Sequence, residues 1–157
     1  MLNIEGTLKQ EYPKLFTYPA AFRKPTVSLL KSILKEEKIN RFIAAHSKER
    51  NLAFIDAALE HLNIAYKSDH QQIQNIPSIG KVIIIANHPL GAMDAFTLIK
   101  MISSVRYDQK VKIVANAMLS QFDQISDLII PADNFNGRLT KESMKMIDNA
   151  LHNEEAV

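Results

Sequence analysis

The sequence predicts an α/β fold in which a helical N-terminal portion is followed by a mixed or parallel sheet with flanking helices. Three observations predict it. Short apolar runs at 81–86, 111–115 and 128–130 have the length and β-branched character of buried strands. Segments with apolar residues at helical spacing, 94–104 and 140–152, alternate with them, which favours parallel pairing through helical crossovers. Before about residue 62 the apolar spacing is helical wherever it is regular. The 157 residues suffice for one domain with a real core. It reads as a single domain over 1–157, with a helical part (1–62) and an α/β part (63–157).

Taken in order, residues 1–25 read as irregular. Pro13, Pro19 and Pro25 interrupt them, and Tyr12, Phe16, Tyr18 and Phe22 recur between. Such an arm packs on its domain or, with Lys14, Arg23 and Lys24 beside the aromatics, anchors at lipid headgroups. Thr26 is expected to cap a helix with Val27, Leu30, Ile33 and Leu34 on one face. Lys35-Glu36-Glu37-Lys38 reads as a solvated face, and Ile39, Phe42 and Ile43 as a second apolar set. A helix over about 49–62 aligns Leu52, Ile55, Leu59 and Leu62.

From residue 64 the pattern changes. Residues 64–67 suggest a short strand, and Ile76-Pro77-Ser78-Ile79-Gly80 a turn. The run 81–86 is nearly continuous in apolar residues, as in a strand buried on both faces. The helix 94–104 is expected to turn Phe96, Ile99 and Ile102 inward. A strand at 111–115, a short helix at 118–125 and a strand at 128–130 follow. The helix 140–152, capped by Thr140, has Met144, Ile147 and Leu151 on one face.

Composition narrows the function. A formal net charge of +2 lacks the concentrated basic face of a nucleic-acid binder, yet is compatible with anionic lipid or an acidic carrier protein. Without cysteine there is no disulfide, no thiolate metal site and no cysteine nucleophile. His46, His61, His70 and His152 are scattered, so no metal is expected. The start lacks the basic-then-apolar pattern of a signal peptide, and no apolar run approaches the ~20 residues needed to span a bilayer.

The chemistry concentrates in Asn87-His88-Pro89-Leu90-Gly91-Ala92-Met93-Asp94, where an apolar run ends and a helix begins. Ligands in α/β sheets sit at the carboxyl ends of strands, and His88 falls there. A histidine titrates near neutrality and becomes an effective base when a carboxylate fixes its second ring nitrogen. Asp94, opening the next helix, supplies that carboxylate at the end the helix dipole favours. Gly91 relieves the backbone between them, and the amides at 91–93 are positioned to meet a developing oxyanion. Taken alone, an isolated histidine is more often a satisfied polar residue, and an aspartate at a helix start a simple cap. No Gly-x-Ser-x-Gly turn is present, which disfavours a serine hydrolase.

The motif resembles the first motif of the lysophospholipid acyltransferase superfamily, typified by 1-acyl-glycerol-3-phosphate acyltransferase. That pattern usually has four residues between His and Asp, whereas five separate His88 from Asp94. The longer spacing resembles the hemolysin-like and ornithine-lipid acyltransferase branch, with its Asn-His-Pro-x-Gly-x-x-Asp form. Phe54-Ile55-Asp56-Ala57-Ala58-Leu59-Glu60 and Ile76-Pro77-Ser78-Ile79-Gly80-Lys81-Val82-Ile83 are similar to segments leading into that motif. Phe135-Asn136-Gly137-Arg138 is similar to the second motif, Phe-x-x-Arg. The resemblance runs from Asn51 onward. The third motif, Phe-Pro-x-Gly, has no counterpart, so the chain is expected to be the N-terminal portion of such a protein, with an exposed sheet edge that invites self-association.

The resemblance implies a fatty-acyl transferase with His88 as general base, Asp94 orienting it, and Asn87, Gly91, Phe135 and Arg138 binding substrate. The donor would be an acyl thioester of acyl carrier protein or coenzyme A, as co-substrate and with no further cofactor. The acceptor would be a hydroxyl of a lysophospholipid or lyso-ornithine-type lipid. Work on lipid implies a cytoplasmic protein, peripheral at the inner face of the cell membrane. The alternative is a non-catalytic lipid- or carrier-binding fragment of the same fold.

Overall fold

The computed structural model describes residues 1–87, 89–116, 119, 122–132 and 139–157. The chain divides into two compact units, Met1–Ser47 and Lys48–Val157. The division falls earlier than the 1–62 boundary drawn from the helical pattern, because the helix after Arg50 contributes its apolar face to the second unit.

The first unit holds three helices, α1 (Ile4–Glu11), α2 (Ala20–Ile33) and α3 (Glu36–Ala45), with a 3-10 turn at Pro13–Thr17. Residues 1–25 are therefore not irregular. The Asn3 side chain accepts the Gly6 N–H at 2.8 Å and starts α1. Pro19 stands at the N-cap position of α2, and Pro25 is carried inside that helix. Thr26 does not cap. It sits within α2, and its hydroxyl donates to the Phe22 carbonyl one turn back. The 35–38 segment is a corner: Lys35 takes φ 52, ending α2 and preceding α3, whose first turn carries Glu36 and Glu37. Leu2, Ile4, Val27 and Ile43 form the buried core of this unit. The Asn40 side chain clamps Leu2 by accepting its N–H at 2.8 Å and donating to its carbonyl at 2.9 Å.

The second unit carries α4 (Asn51–His61), a single turn α5 (His70–Ile73), α6 (Ala92–Val105), a 3-10 segment (Asp123–Leu128) and α7 (Lys141–His152) around parallel β1 (Ile113–Asn116) and β2 (Ile129–Ala132). The α/β class expected from the sequence holds. Ile113 pairs with Ile129 and Asn116 with Ala132. The sheet is extended by parallel bridges that place 155–157 between 82–84 and 110–112. Ile84 N–H donates to the Val157 carbonyl and Lys112 N–H to the Ala156 carbonyl, both at 2.8 Å.

Burial corrects several elements. The 81–86 run is not a strand buried on both faces. Only Val82 forms a bridge, and Ile83 and Ile85 are 60% and 93% exposed. Residues 64–67 are irregular rather than a strand. Leu62 is exposed, and α4 instead buries Phe54, Ile55, Ala58 and Leu59 against α6 and the 3-10 segment. In α6, Ile99 and Ile102 are buried as expected, and Phe96 is half-buried. Part of the expected 118–125 helix lies outside the described residues, and the described part is the 3-10 segment. Thr140 does cap α7, accepting the Ser143 N–H at 3.0 Å. Ser143 and Ala150 face inward there while Met144 is exposed, because the Ser143 hydroxyl bonds the Pro131 carbonyl of β2 and fixes the roll of the helix.

One side chain ties this unit together. Arg106, just past α6, is fully buried, and each of its five N–H groups has an acceptor. Nε and Nη2 donate to Asp108 at 3.1 and 2.9 Å, Nη1 to the Gly80 and Pro77 carbonyls at 2.8 and 3.4 Å, and Nη2 to the Glu154 carbonyl at 2.8 Å. The Asp108 carboxyl is pushed up by burial, but the Arg106 hydrogen bonds, the Lys110 amide and the two positive charges outweigh that and hold it below its ordinary value.

Arg106→Ala is expected to lower the unfolding free energy by about 3–5 kcal/mol, read from urea denaturation, because it leaves Asp108 with only the Lys110 N–H and three carbonyls without the guanidinium. A depressed carboxylate pKa contributes stability that is present above the unfolded value and lost as pH falls through the folded one. Thermal melts below about pH 4 should therefore show an acid loss that Asp108→Asn, already less stable at neutral pH, lacks.

Candidate active site

Residues 83–87 leave the sheet edge, and residues 89–91 lead into α6. Asn87 is exposed at the end of the extended segment that follows the Val82 bridge. Pro89, Leu90 and Gly91 form a turn, and α6 begins at Ala92. Gly91 takes φ 66 and ψ −124, a conformation that residues with a Cβ avoid. A Cβ there would meet nothing within 4 Å, so the glycine is required by its backbone angles and not by crowding.

Asp94 is the third residue of α6, two positions later than a helix-opening aspartate. Its Oδ2 accepts the Leu90 N–H at 2.7 Å, closing the turn back on the helix. The Gly91 carbonyl accepts the Ala95 N–H at 3.2 Å, and the Thr97 hydroxyl donates to the Met93 carbonyl at 2.8 Å. The half-buried carboxylate is thereby held in the first turn, where the N–H groups of a helix lack intrahelical partners and negative charge is favoured.

Of the residues named from sequence, Gly91 closes the turn and Asp94 sits in the first turn of α6, while Asn87 ends the segment before position 88. His88, Phe135 and Arg138 lie outside the described residues. No cluster of three or more potential metal ligands occurs among the described residues.

A feature that the sequence reading missed lies further along the same helix. A hollow of about 350 Å³ opens between the 82–84 segment and α6, lined by Ile76, Pro77, Ile83, Leu98, Met101 and Ile102, among others. Leu98 and Met101 follow Asp94 at i+4 and i+7, so the helix face that carries the carboxylate continues into an apolar wall. That spacing was the available signal. Apolar residues at those offsets read as ordinary core until the partner segment is seen to leave space.

A family profile described as Acyltransferase matches residues 12–153. The lyso-glycine lipid O-acyltransferase of Bacteroides thetaiotaomicron is 28% identical over 155 residues, covering 99% of this chain and 54% of its own length. The enzyme of the same name from Phocaeicola vulgatus is 28% identical over 148 residues, covering 94% of this chain and 50% of its own length. The chain thus spans about half the length of the curated relatives it matches. No solved structure gave a significant match.

Gly91→Ala is expected to cost about 1–2 kcal/mol in chemical denaturation through backbone strain alone. Asp94→Ala should cost about 1 kcal/mol through loss of the Leu90 bond, whereas Asp94→Asn, which keeps an acceptor oxygen, should fall within a few tenths of the parent.

Proposed function

The chain belongs to the acyltransferase family, and on that premise we propose that it moves a fatty acyl group from a thioester donor to a hydroxyl of a lyso-lipid. The relatives' names favour an acceptor with an amino-acid headgroup, of the lyso-glycine or lyso-ornithine type, over a glycerol phosphate. The longer His88–Asp94 spacing points the same way. The observation that carries the reading is the fixed Asp94 carboxylate, six residues beyond His88 in the sequence and just past a glycine-relieved turn, with an apolar hollow further along α6.

In this reading His88 takes the proton of the acceptor hydroxyl as the oxygen attacks the thioester carbonyl carbon. Asp94 holds the imidazole in one tautomer and stabilises its positive charge once protonated. The tetrahedral oxyanion is met by backbone N–H groups of the turn and the first turn of α6. Its collapse breaks the C–S bond, and the imidazolium returns the proton to the departing thiolate. The ester and the free thiol leave, and no covalent enzyme intermediate or metal is required. Arg138 binds the acidic part of a substrate headgroup in a forked geometry, and Phe135 also binds substrate. Asn87 and Gly91 shape the mouth of the site, and the hollow past Leu98 accommodates alkyl chain. The donor is acyl carrier protein or coenzyme A carrying the acyl group, and the protein works peripherally at the inner face of the membrane. No helix among the described residues is long and apolar enough to cross a bilayer.

Acyl transfer by the protein as the cell makes it, measured with a lyso-glycine lipid and an acyl thioester, tests this. His88→Ala should reduce kcat/KM by at least about a hundredfold without altering thermal stability. Asp94→Asn should reduce it about as strongly while leaving the turn intact. Undiminished turnover by His88→Ala rejects the mechanism. Arg138→Lys should raise KM for the acceptor about tenfold and leave kcat nearly unchanged.

A further inference from the structure

α2 is apolar on two sides. Val27 is buried in the core of the first unit, with Leu30 half-buried beside it. On a different face, Phe22, Leu29 and Ile33 fall in register with Thr26, at successive steps of four, three and four residues, and so form one stripe along the helix. Phe22 is 73%, Leu29 61% and Ile33 63% exposed. Tyr18, exposed and just ahead of α2, extends the apolar surface at its N-terminal end. Three large aliphatic and aromatic side chains aligned outward on one helix are not the scattered exposure of an ordinary surface.

Charge separates the two units. Met1–Ser47 holds eight Lys and Arg against four Asp and Glu, whereas Lys48–Val157 holds eleven against thirteen. Lys14, Lys24, Lys35 and Lys38 are exposed and make no ion pair among the described residues. Lys35 lies two residues beyond Ile33, so a cation stands near the C-terminal end of the stripe. Apolar surface for an acyl boundary, a tyrosine at one end and long cationic side chains able to reach outward suit an anionic interface. An acidic protein partner would use the cations but leave the apolar stripe unexplained.

We propose that the outward face of α2, through Phe22, Leu29 and Ile33, docks the protein on an anionic lipid bilayer surface. This rests on the lipid-facing reading above, and it assigns the contact to the basic unit and to one helix face. The face lies in the bilayer interface, parallel to its plane, with the apolar side chains among the acyl boundary and the lysines at the headgroups.

Flotation of the full chain with vesicles tests it, using phosphatidylglycerol and phosphatidylethanolamine in equal parts against phosphatidylcholine alone. The parent should bind the anionic vesicles preferentially and lose binding as salt rises. The triple variant Phe22→Gln, Leu29→Gln, Ile33→Gln keeps good helix formers at exposed positions, and should bind at least about tenfold more weakly with an unchanged melting temperature. Tyr107→Ser, an exposed aromatic of the other unit, should bind as the parent does. Unchanged vesicle binding by the triple variant overturns the assignment. So does a parent that ignores vesicles and whose self-association or binding to acyl carrier protein is what the triple variant abolishes. Vesicle binding that depends on the stripe in a protein without transferase activity upholds this inference while rejecting the catalytic reading.

Discussion

A buried guanidinium is the constraint on which the second unit depends. An unpaired charge in that position would cost several kcal/mol, so every acceptor around Arg106 must be delivered to a fixed place. The acceptors come from three distant stretches: the turn ending at Gly80, the Arg106–Asp108 corner after α6, and Glu154 after α7. Satisfying one side chain therefore sets where the 82–84 segment leaves, where α6 ends and where 155–157 enters the sheet. A second arrangement works in the same direction. Glu154 accepts the Lys81 N–H through its side chain while its carbonyl accepts from Arg106, so a single residue locks both neighbours of the inserted segment.

From this frame the turn at 89–91 inherits its position. Its entry is fixed by the pairing at Val82 and Ile84, and its exit by α6, whose far end is pinned by Arg106 and whose flank is pinned by Lys100 to Asp56 of α4 at 2.6 Å. Between those fixed ends, Gly91 absorbs the sharp change of direction and Asp94 closes it. A carboxylate that is both a structural acceptor and the proposed partner of a base has little freedom to wander. That restriction is what preorganisation at a catalytic site requires.

Much of the architecture was legible because it is written in local patterns. The 3.6-residue spacing located α6 and α7, Thr140 was recognisable as a cap by type and place, and the apolar Leu128-Ile129-Ile130 run marked β2. The order of residues from Asn87 to Asp94 identified the turn and the family. What escaped depends on partners far away in sequence. Residues 1–25 fold into helices because Asn3 caps one and Asn40, on a later helix, clamps the chain start. The burial of 81–86 is decided by what covers each face, and composition alone does not state that. An arginine at the end of an amphipathic helix looks like a solvated charge, and nothing near Arg106 in the sequence betrays five acceptors converging on it. The apolar hollow escaped for the same reason, since emptiness is a property of the packing and not of any one residue.

The insertion of 155–157 between 82–84 and 110–112 has a temporal consequence. The flanking segments are made first and cannot hydrogen-bond each other across the gap; they meet only through a strand, at Ala156, whose partner Val82 lies far earlier in the chain. During synthesis the ribosome therefore releases α6, β1 and β2 before the piece that joins the Val82 edge to them exists. Closure of such a remote parallel pairing is slow, because loop entropy is lost before contacts compensate. Until it happens, the nascent chain presents an open β edge rich in isoleucine, the kind of surface that chaperones recognise and that aggregation exploits.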